Sequence, residues 1–243
     1  MGRIGLRIIG VLAVILAAAL ATFYMVDGHP LAETQDYLQG KNYTASLQAD
    51  GGLLFVPQQG NGRGLLIMHG ALIKPQSYAR TAAFFAARGY TVLLPYGGLG
   101  RLSIMAIDRA ADSMRRLSLV DWFTIGHSMG GLASLAVIEG NPDLPVRASA
   151  LWAAAIPANY ATLTTPILFL WGDQDGLLPQ ARFERGKALL PDAVDYITLP
   201  GANHQDFAMY GHQFFDKPGQ LGWAAQIDAA NKKTLEFFSA IRP

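Results

Sequence analysis

From residue 64 onward, short apolar runs alternate with longer segments whose apolar residues have helical spacing. Six runs are bounded by glycine, proline or polar residues, which is typical of buried strands: 64–68, 90–95, 121–126, 148–155, 166–172 and 193–200. Five segments have helical periodicity: 77–88, 102–117, 129–139, 181–190 and 223–241. Apolar strands that alternate with helices predict a mainly parallel sheet with helices on both faces, which is the α/β class.

A different pattern precedes this repeat. Two short runs, 43–49 and 53–57, are separated by Asp50-Gly51-Gly52, and an Asp-Gly pair between such runs predicts a β-hairpin. Residues 29–41 are polar and predict a linker or a short helix. We therefore place the globular domain at residues 42–243.

The first 28 residues contain an apolar segment of their own. Residues 8–26 form an uncharged run of 19 residues, with Arg3 and Arg7 before it and Asp27 after it. As a helix, the run would extend about 28 Å, close to the hydrocarbon thickness of a bilayer. Arginine before the run and aspartate after it predict a transmembrane anchor with the domain on the extracytoplasmic side.

Two alternatives to an anchor stay open for this run. The first alternative is a cleaved signal peptide followed by a secreted domain, because small residues at 17–19 and at 19–21 fit a signal-peptidase site. The other is a buried core helix, although apolarity on every side is unusual at the very start of a chain.

Composition excludes several classes of function. Charged residues make up 15% of the chain and the formal net charge is +1, so nothing indicates nucleic acid or another polyanion as a partner. The chain has no cysteine, which removes disulfides, zinc-thiolate sites and thiol catalysis. The five histidines include no His-Glu-x-x-His motif, and we expect no metal or cofactor.

A serine lies within Gly126-His127-Ser128-Met129-Gly130, which matches the pattern Gly-x-Ser-x-Gly. The motif falls between a predicted strand and a predicted helix. In that context the serine occupies a strained turn that projects its hydroxyl above the sheet, and the glycines allow close passage of the backbone. We therefore expect Ser128 to be a nucleophile, and a glycine-rich packing turn is the alternative.

A nucleophilic serine needs a general base. His29 lies beside the N-terminal segment, His69 follows the first strand of the repeat, and His127 lies within the serine motif. His204 follows the last predicted strand, and loops at the carboxyl ends of parallel strands form the working edge of such sheets. We expect His204 to be the base and keep His212 as the alternative.

The third group should be a carboxylate between the serine and the histidine in sequence. Strand 166–172 is followed by Asp173-Gln174-Asp175-Gly176, again at a carboxyl end. We favour Asp175 over Asp173, which would cap the turn instead. The order Ser…Asp…His argues against chymotrypsin-like and subtilisin-like folds.

Two backbone amides are candidates for an oxyanion hole. One belongs to Met129, directly after the serine, and the other to Ala71 in the loop His69-Gly70-Ala71-Leu72 that follows the first strand of the repeat. Removing one such donor typically lowers the rate about 100- to 1000-fold.

These motifs together resemble the alpha/beta-hydrolase superfamily, from about residue 64 to the C-terminus. Within it, the chain resembles the small, dienelactone-hydrolase-like group called alpha/beta hydrolase fold-5, on three segments: 69–95, 126–131 and 201–213. The resemblance implies an α/β-hydrolase fold in which Ser128 is the nucleophile, Asp175 the acid and His204 the base.

Two features qualify that resemblance. Lys74 stands where the group's pattern has a small or acidic residue before proline. The resemblance therefore does not predict the substrate pocket, although it leaves the triad unchanged. Tyr210, Gly211 and Gln213 match a recurrent feature of the group's tail, and we expect them to brace the histidine loop.

The sequence thus predicts a serine hydrolase that acts as a carboxylesterase through an acyl-enzyme. Only residues 156–165 separate two predicted strands, which leaves no room for a large lid and favours small or exposed acyl substrates. An acyltransferase of the cell envelope with the same triad is one alternative. An inactive, membrane-tethered binding protein is another. Nucleotide binding is not indicated, because the glycines within residues 97–100 lack the spacing of a dinucleotide-binding fingerprint.

Overall fold

The computed structural model describes residues 28–98 and 101–241, and within these ranges nine strands form one sheet. The strands are β1 (Gln39–Gly40), β2 (Tyr43–Leu47), β3 (Leu53–Pro57), β4 (Arg63–Met68), β5 (Thr91–Leu94), β6 (Asp121–His127), β7 (Val146–Trp152), β8 (Ile167–Gly172) and β9 (Val194–Leu199). Their order across the sheet is β1-β2-β3-β5-β4-β6-β7-β8-β9. Neighbours up to β5 in that order pair antiparallel, and neighbours from β5 onward pair parallel. This confirms the predicted mainly parallel sheet.

Helices cover both faces of the sheet, as the repeat predicted. They are α1 (Ala79–Ala86), α2 (Ile107–Leu117), α3 (Met129–Gly140), α4 (Gln180–Lys187) and α5 (Gly222–Ala240). Two of them begin later than their apolar spacing indicates, because 3₁₀ turns at Pro75–Tyr78 and Ser103–Ala106 precede α1 and α2.

The core lies in layers on the two sides of the sheet. On one side, α1 and α5 bury Phe85 and Phe238 against strand residues such as Phe123. On the other side, α2 and α3 pack on β4 and β6, and α4 packs through Phe183 on β7 and β8. The alternate side chains of each central strand therefore enter different layers, which is why these strands are apolar throughout.

The segment before the hairpin is packed onto the domain. Pro30 bridges to Tyr210, Ala32–Tyr37 form a 3₁₀ helix, and the Thr34 side chain is fully buried. The predicted anchor at residues 8–26 lies outside the described residues. No helix within 28–98 and 101–241 has the length and apolarity needed to cross a bilayer.

The parallel strands place the candidate residues at one edge of the sheet. Ser128 follows β6 near the centre, while Asp175 and His204 follow β8 and β9. The connection between β7 and β8, residues 153–166, contains neither helix nor strand, so this part of the edge carries no folded cover.

Candidate active site

Ser128 lies in a sharp turn between β6 and α3. Its backbone has φ 54° and ψ −121°, a conformation that residues other than glycine rarely adopt. Such a residue costs about 1–3 kcal/mol and persists only where its surroundings hold it. Here the Ser128 amide donates to the Trp152 carbonyl at 2.9 Å, and the Ser128 carbonyl accepts from the Gly131 amide at 3.0 Å.

Close backbone contacts explain the glycines of the motif. A Cβ at Gly126 would lie 2.3 Å from the Gly130 carbonyl oxygen, and a Cβ at Gly130 would lie 1.9 Å from the Met68 carbonyl oxygen. Neither position has room for a side chain. The first turn of α3 therefore packs directly onto β6 and the end of β4, and this packing holds the serine turn in place.

His204 and Asp175 form a buried pair. The His204 Nδ1 lies 2.9 Å from Asp175 Oδ2, and the two side chains are 4% and 0% exposed. The other oxygen of Asp175 accepts from the amides of Leu177 at 2.8 Å and Leu178 at 2.6 Å. Because a carboxylate only accepts, the proton of the neutral imidazole is on Nδ1, which leaves Nε2 able to accept a proton.

The two alternative residues have other surroundings. Asp173 is exposed, and its Oδ1 accepts from the Gly201 amide at 2.8 Å. His212 is also exposed, and its ring lies against Phe214. The structure thus pairs His204 with Asp175 and not with Asp173.

An open cavity of about 330 Å³ brings four of the five candidate residues together. Ser128, His204, Ala71 and Met129 all line it. Its remaining wall is mostly apolar and consists of Leu132, Ala155, Pro157, Leu177, Leu178, Arg182 and Gln213. The candidate nucleophile, the candidate base and both residues with candidate oxyanion amides therefore share one cavity.

The loop after β4 places Ala71 in the wall of this cavity. The amides on either side of Ala71 are used within the protein: Gly70 donates to the Tyr78 hydroxyl at 2.8 Å, and Leu72 donates to the Arg101 carbonyl at 2.8 Å. Met129 is the first residue of α3, where backbone amides have no intrahelical acceptor. The Ala71 and Met129 amides are therefore suited to bind a developing oxyanion.

A buried chain of hydrogen bonds connects this loop to the histidine loop. The Tyr78 hydroxyl accepts from Gly70 and lies 2.8 Å from His127 Nδ1, while His127 Nε2 lies 3.0 Å from the His204 carbonyl oxygen. Since a carbonyl only accepts, His127 carries its proton on Nε2, and Tyr78 donates to Nδ1. Gly70, Tyr78, His127 and His204 are thus held in one directional chain.

The electrostatics of the site keep its two supporting histidines neutral. Burial lowers the pKa of His127 well below its usual value, and the nearby His204 lowers it further. Burial also lowers the pKa of His69 to about 4. His69 accepts from the Gly97 amide at 3.1 Å through Nε2 and joins the Gly70 carbonyl through Nδ1, so a neutral ring fits both contacts.

Two further side chains hold the His204 loop. Asp216 accepts from the amide of Gly176, directly after Asp175, at 2.9 Å and from the amide of Gln205, directly after His204, at 2.7 Å. Gln226 of α5 forms a pair of hydrogen bonds with the backbone of residue 203, at 3.0 and 2.8 Å. The acid and the base are therefore joined through their neighbours as well as directly.

The predicted bracing role of the segment 210–213 has a structural counterpart. The Gln205 side chain donates to the Gly211 carbonyl at 3.0 Å and accepts from the Gln213 amide at 2.9 Å. The Tyr210 hydroxyl donates to the Gln213 side chain, which lines the cavity.

Sequence reasoning missed Tyr78, Asp216 and Gln226. Tyr78 has the helical spacing of a core residue, and nothing in the sequence marks its hydroxyl as buried. Asp216 and Gln226 lie outside the motifs, and their partners are backbone amides, which no side-chain pattern reveals. No group of three or more metal-ligating side chains is found among residues 28–98 and 101–241.

Sequence comparison assigns most of the domain to a family. A model of the alpha/beta hydrolase family matches residues 64–228, more than half of the chain. No curated protein matches the chain in sequence.

The fold is similar to that of solved esterases. The naproxen esterase (carboxylesterase NP) of Bacillus subtilis has a TM-score of 0.60 at 13% identity, over 85% of this chain and 94% of that one. Esterase 2 of Thermogutta terrifontis, phosphoramylated by tabun, has a TM-score of 0.59 at 14% identity, over 84% and 96%. The esterase EaEST of Exiguobacterium antarcticum has a TM-score of 0.57 at 12% identity, over 81% and 99%. At these identities the likeness shows the fold alone.

Proposed function

Because the chain belongs to the alpha/beta hydrolase family, we propose that it is a serine hydrolase that cleaves carboxylic esters through an acyl-enzyme. The observation that supports this proposal most is the strained turn at Ser128, with φ of 54°, in a residue that lines the same cavity as His204. The esterases among the solved structures of similar fold support the same reaction class.

In the proposed mechanism, the Ser128 hydroxyl attacks the ester carbonyl while His204 Nε2 takes its proton. Asp175 orients the ring and stabilises the imidazolium that forms. The amides of Ala71 and Met129 bind the oxyanion, and the imidazolium then protonates the departing alcohol. Water, deprotonated by His204, attacks the acyl-enzyme and releases the acid and the free serine.

The cavity favours small or exposed acyl groups. It is open, and the connection 153–166 adds no folded cover to it. Its apolar wall suits an alkyl chain, since burying apolar surface contributes about 25 cal/mol per Å².

Two measurements test the proposal. A fluorophosphonate probe should label the wild-type chain and not Ser128→Ala. In solution without lipid, p-nitrophenyl esters of graded chain length should be cleaved with a preference for the short ones. Ser128→Ala and His204→Ala should each remove most of the activity, and the double variant should be little worse than either, because the groups act as a unit.

Ser113→Ala serves as the matched control, because this serine lies on α2 away from the cavity. Near-wild-type turnover in Ser128→Ala or His204→Ala would refute the mechanism. Product analysis with water and with alcohols as acceptors distinguishes hydrolysis from acyl transfer, since the same acyl-enzyme supports both.

We also propose that residues 8–26 anchor the domain to a membrane on its extracytoplasmic side. The length and apolarity of the run and the charges at its ends support this orientation. Intact-mass measurement of the purified chain and protease access to the domain in sealed spheroplasts test it. A mature chain that begins near residue 20 would instead indicate a cleaved signal peptide.

A further inference from the structure

The described chain begins at the active-site edge of the domain. The Gly28 carbonyl accepts from the Lys74 amide at 3.1 Å, and the His29 carbonyl accepts from the Gly211 amide at 3.2 Å. Gly28 is packed so closely that a Cβ there would lie 1.9 Å from the Leu72 carbonyl oxygen. The entering chain is therefore fixed between the loop that bears Ala71 and the segment that braces the His204 loop.

The distance from this point to the apolar run is short. Val26 precedes Gly28 by two residues, which span at most about 7 Å. The polar headgroup layer on each side of a bilayer is about 5–8 Å thick. If residues 8–26 cross the bilayer, the loop 70–74 lies at the level of the headgroups, and the cavity that Ala71 lines lies beside it.

Exposed apolar side chains lie on both sides of the entry point. Met105 is 68% exposed and Ile104 is 37% exposed, on a segment joined to Leu72 through the 2.8 Å bond from its amide to the Arg101 carbonyl. Phe214 and Phe215 are 50% and 69% exposed and directly follow Gln213, which lines the cavity. We call these four residues the apolar rim.

Exposing the side chains of the apolar rim to water is unfavourable in free energy, whereas contact with a bilayer surface stabilises them. Aromatic and long apolar side chains favour the interfacial region, where their apolar parts leave water. A bilayer held within a few ångströms of the entry point would lie beside the two segments that carry this rim. Val120 provides a contrast, because it is 76% exposed but lies before β6, at the opposite edge of the sheet.

We infer that the mouth of the active-site cavity faces the bilayer spanned by residues 8–26, that the apolar rim inserts into the headgroup layer, and that the substrates are acyl esters held in that bilayer. This inference rests on the proposed function and on the proposed anchor. The bilayer itself covers the open cavity, and an ester group at headgroup depth reaches Ser128 without leaving the membrane.

The natural chain has no cysteine, so a single introduced cysteine gives one labelling site. The experiment uses the full chain in phosphatidylcholine vesicles, with an environment-sensitive fluorophore on Met105→Cys, Phe215→Cys or, as the matched control, Val120→Cys. We expect a blue-shifted emission and strong quenching by a lipid-attached quencher at positions 105 and 215, and neither at 120.

Equal quenching at all three positions, or none at any, would overturn the orientation. An emission shift that follows the protein concentration and not the lipid quencher would assign the rim to a second copy of the chain and would also overturn it. So would a mature chain that has lost residues 8–26. These measurements need no activity, so they are independent of the proposed function.

A second arm tests the substrate class. Turnover of a long-chain p-nitrophenyl ester dissolved in the same vesicles is divided by turnover of p-nitrophenyl acetate in solution. We expect Met105→Ser combined with Phe215→Ser to lower this ratio about tenfold, and Val120→Ser to leave it unchanged. An unchanged ratio in the double variant would refute the inference, whereas wild-type inactivity on both esters would refute the proposed function.

Discussion

At Ser128 the backbone conformation and the proposed chemistry make opposite demands. The left-handed φ of 54° suits glycine, but only a side chain supplies a nucleophile. The strain is held by hydrogen bonds to β7 and by the first turn of α3. The serine turn should therefore store free energy that disappears when the side chain is removed.

Ser128→Gly should be more stable than Ser128→Ala by about 1 kcal/mol, and the proposed function predicts that both variants lack activity. Urea denaturation of both, followed by tryptophan fluorescence, measures the difference. The helical residue Ser113 supplies the control, because glycine there should be less stable than alanine by about 1 kcal/mol. The same sign at both positions would show that Ser128 carries no strain.

Tyr78 acts on the site through its hydroxyl. Tyr78→Phe leaves the Gly70 amide and His127 Nδ1 without their buried partner, at a cost of about 1–3 kcal/mol. The loop that bears Ala71 should loosen, and kcat should fall about 10- to 100-fold with KM changed less. Steady-state kinetics on a short ester measures this.

Tyr43→Phe is the matched control for that prediction. It removes a tyrosine hydroxyl that donates to the Tyr37 carbonyl at 2.8 Å, away from the cavity. Equal losses of kcat in the two variants would mean that Tyr78 contributes only to general stability.

Sequence reasoning at the residue scale succeeded where the chemistry restricts the residue type. The glycines around Ser128, and the position of His204 after the last strand, follow from local pattern and chain order. Tyr78 meets His127 across 49 positions in the chain, and such a contact depends on the packing of α1 against the sheet. That packing leaves no local pattern, so these partners could not be predicted.

At the scale of elements, Asp216 joins two loops that carry different parts of the site. It lies in the segment before α5 and accepts from amides next to both Asp175 and His204. It reinforces the connection that the His204–Asp175 pair and the hydrogen bond from the Gly201 amide to Asp173 already make between these loops.

Asp216→Asn should lower kcat about tenfold, because its amide group faces a backbone donor and one of the two loops loses its acceptor. The melting temperature should fall by a few degrees, since about 1 kcal/mol shifts it by 2–4 °C in a domain of this size. The control is Asp143→Asn, an exposed partner of Arg115 for which little change is expected. Equal kcat in both variants would contradict the role of Asp216.

The sequence predicted which helices and strands exist more accurately than it predicted where the helices begin or which strands pair. The helical periodicity of the apolar residues located the helices. The 3₁₀ turns before α1 and α2 have a similar periodicity, so the sequence alone does not separate these turns from the helices. The sheet order could not be predicted, because β5 lies outside β4 and then pairs with β3 through contacts distant in the chain. The membrane anchor stays a prediction.

At the scale of the whole molecule, two buried neutral histidines make stability depend on pH. The unfolded chain binds protons at histidine from about pH 6.5, whereas burial lowers the pKa of His69 to about 4 and that of His127 well below its usual value. Their contribution is therefore complete above pH 6.5 and is lost as the pH falls toward the folded-state values.

Each of these histidines should lower the free energy of unfolding by about 2 kcal/mol when the pH is lowered from 7 to 5. Urea denaturation at the two values measures the sum. His69→Asn should reduce the pH dependence by about half. Equal slopes in the wild type and in His69→Asn would refute the prediction.

The position of each strand in the sheet gives the candidate catalytic groups unequal protection against partial opening. Ser128 follows β6, which has paired strands on both sides, whereas His204 follows β9, which among the strands of residues 28–98 and 101–241 has a partner on one side only. Fraying at an outer strand requires less free energy than separating inner ones. Mild denaturant should therefore displace the imidazole first, while the nucleophile keeps its strained geometry, and inactivation should precede global unfolding.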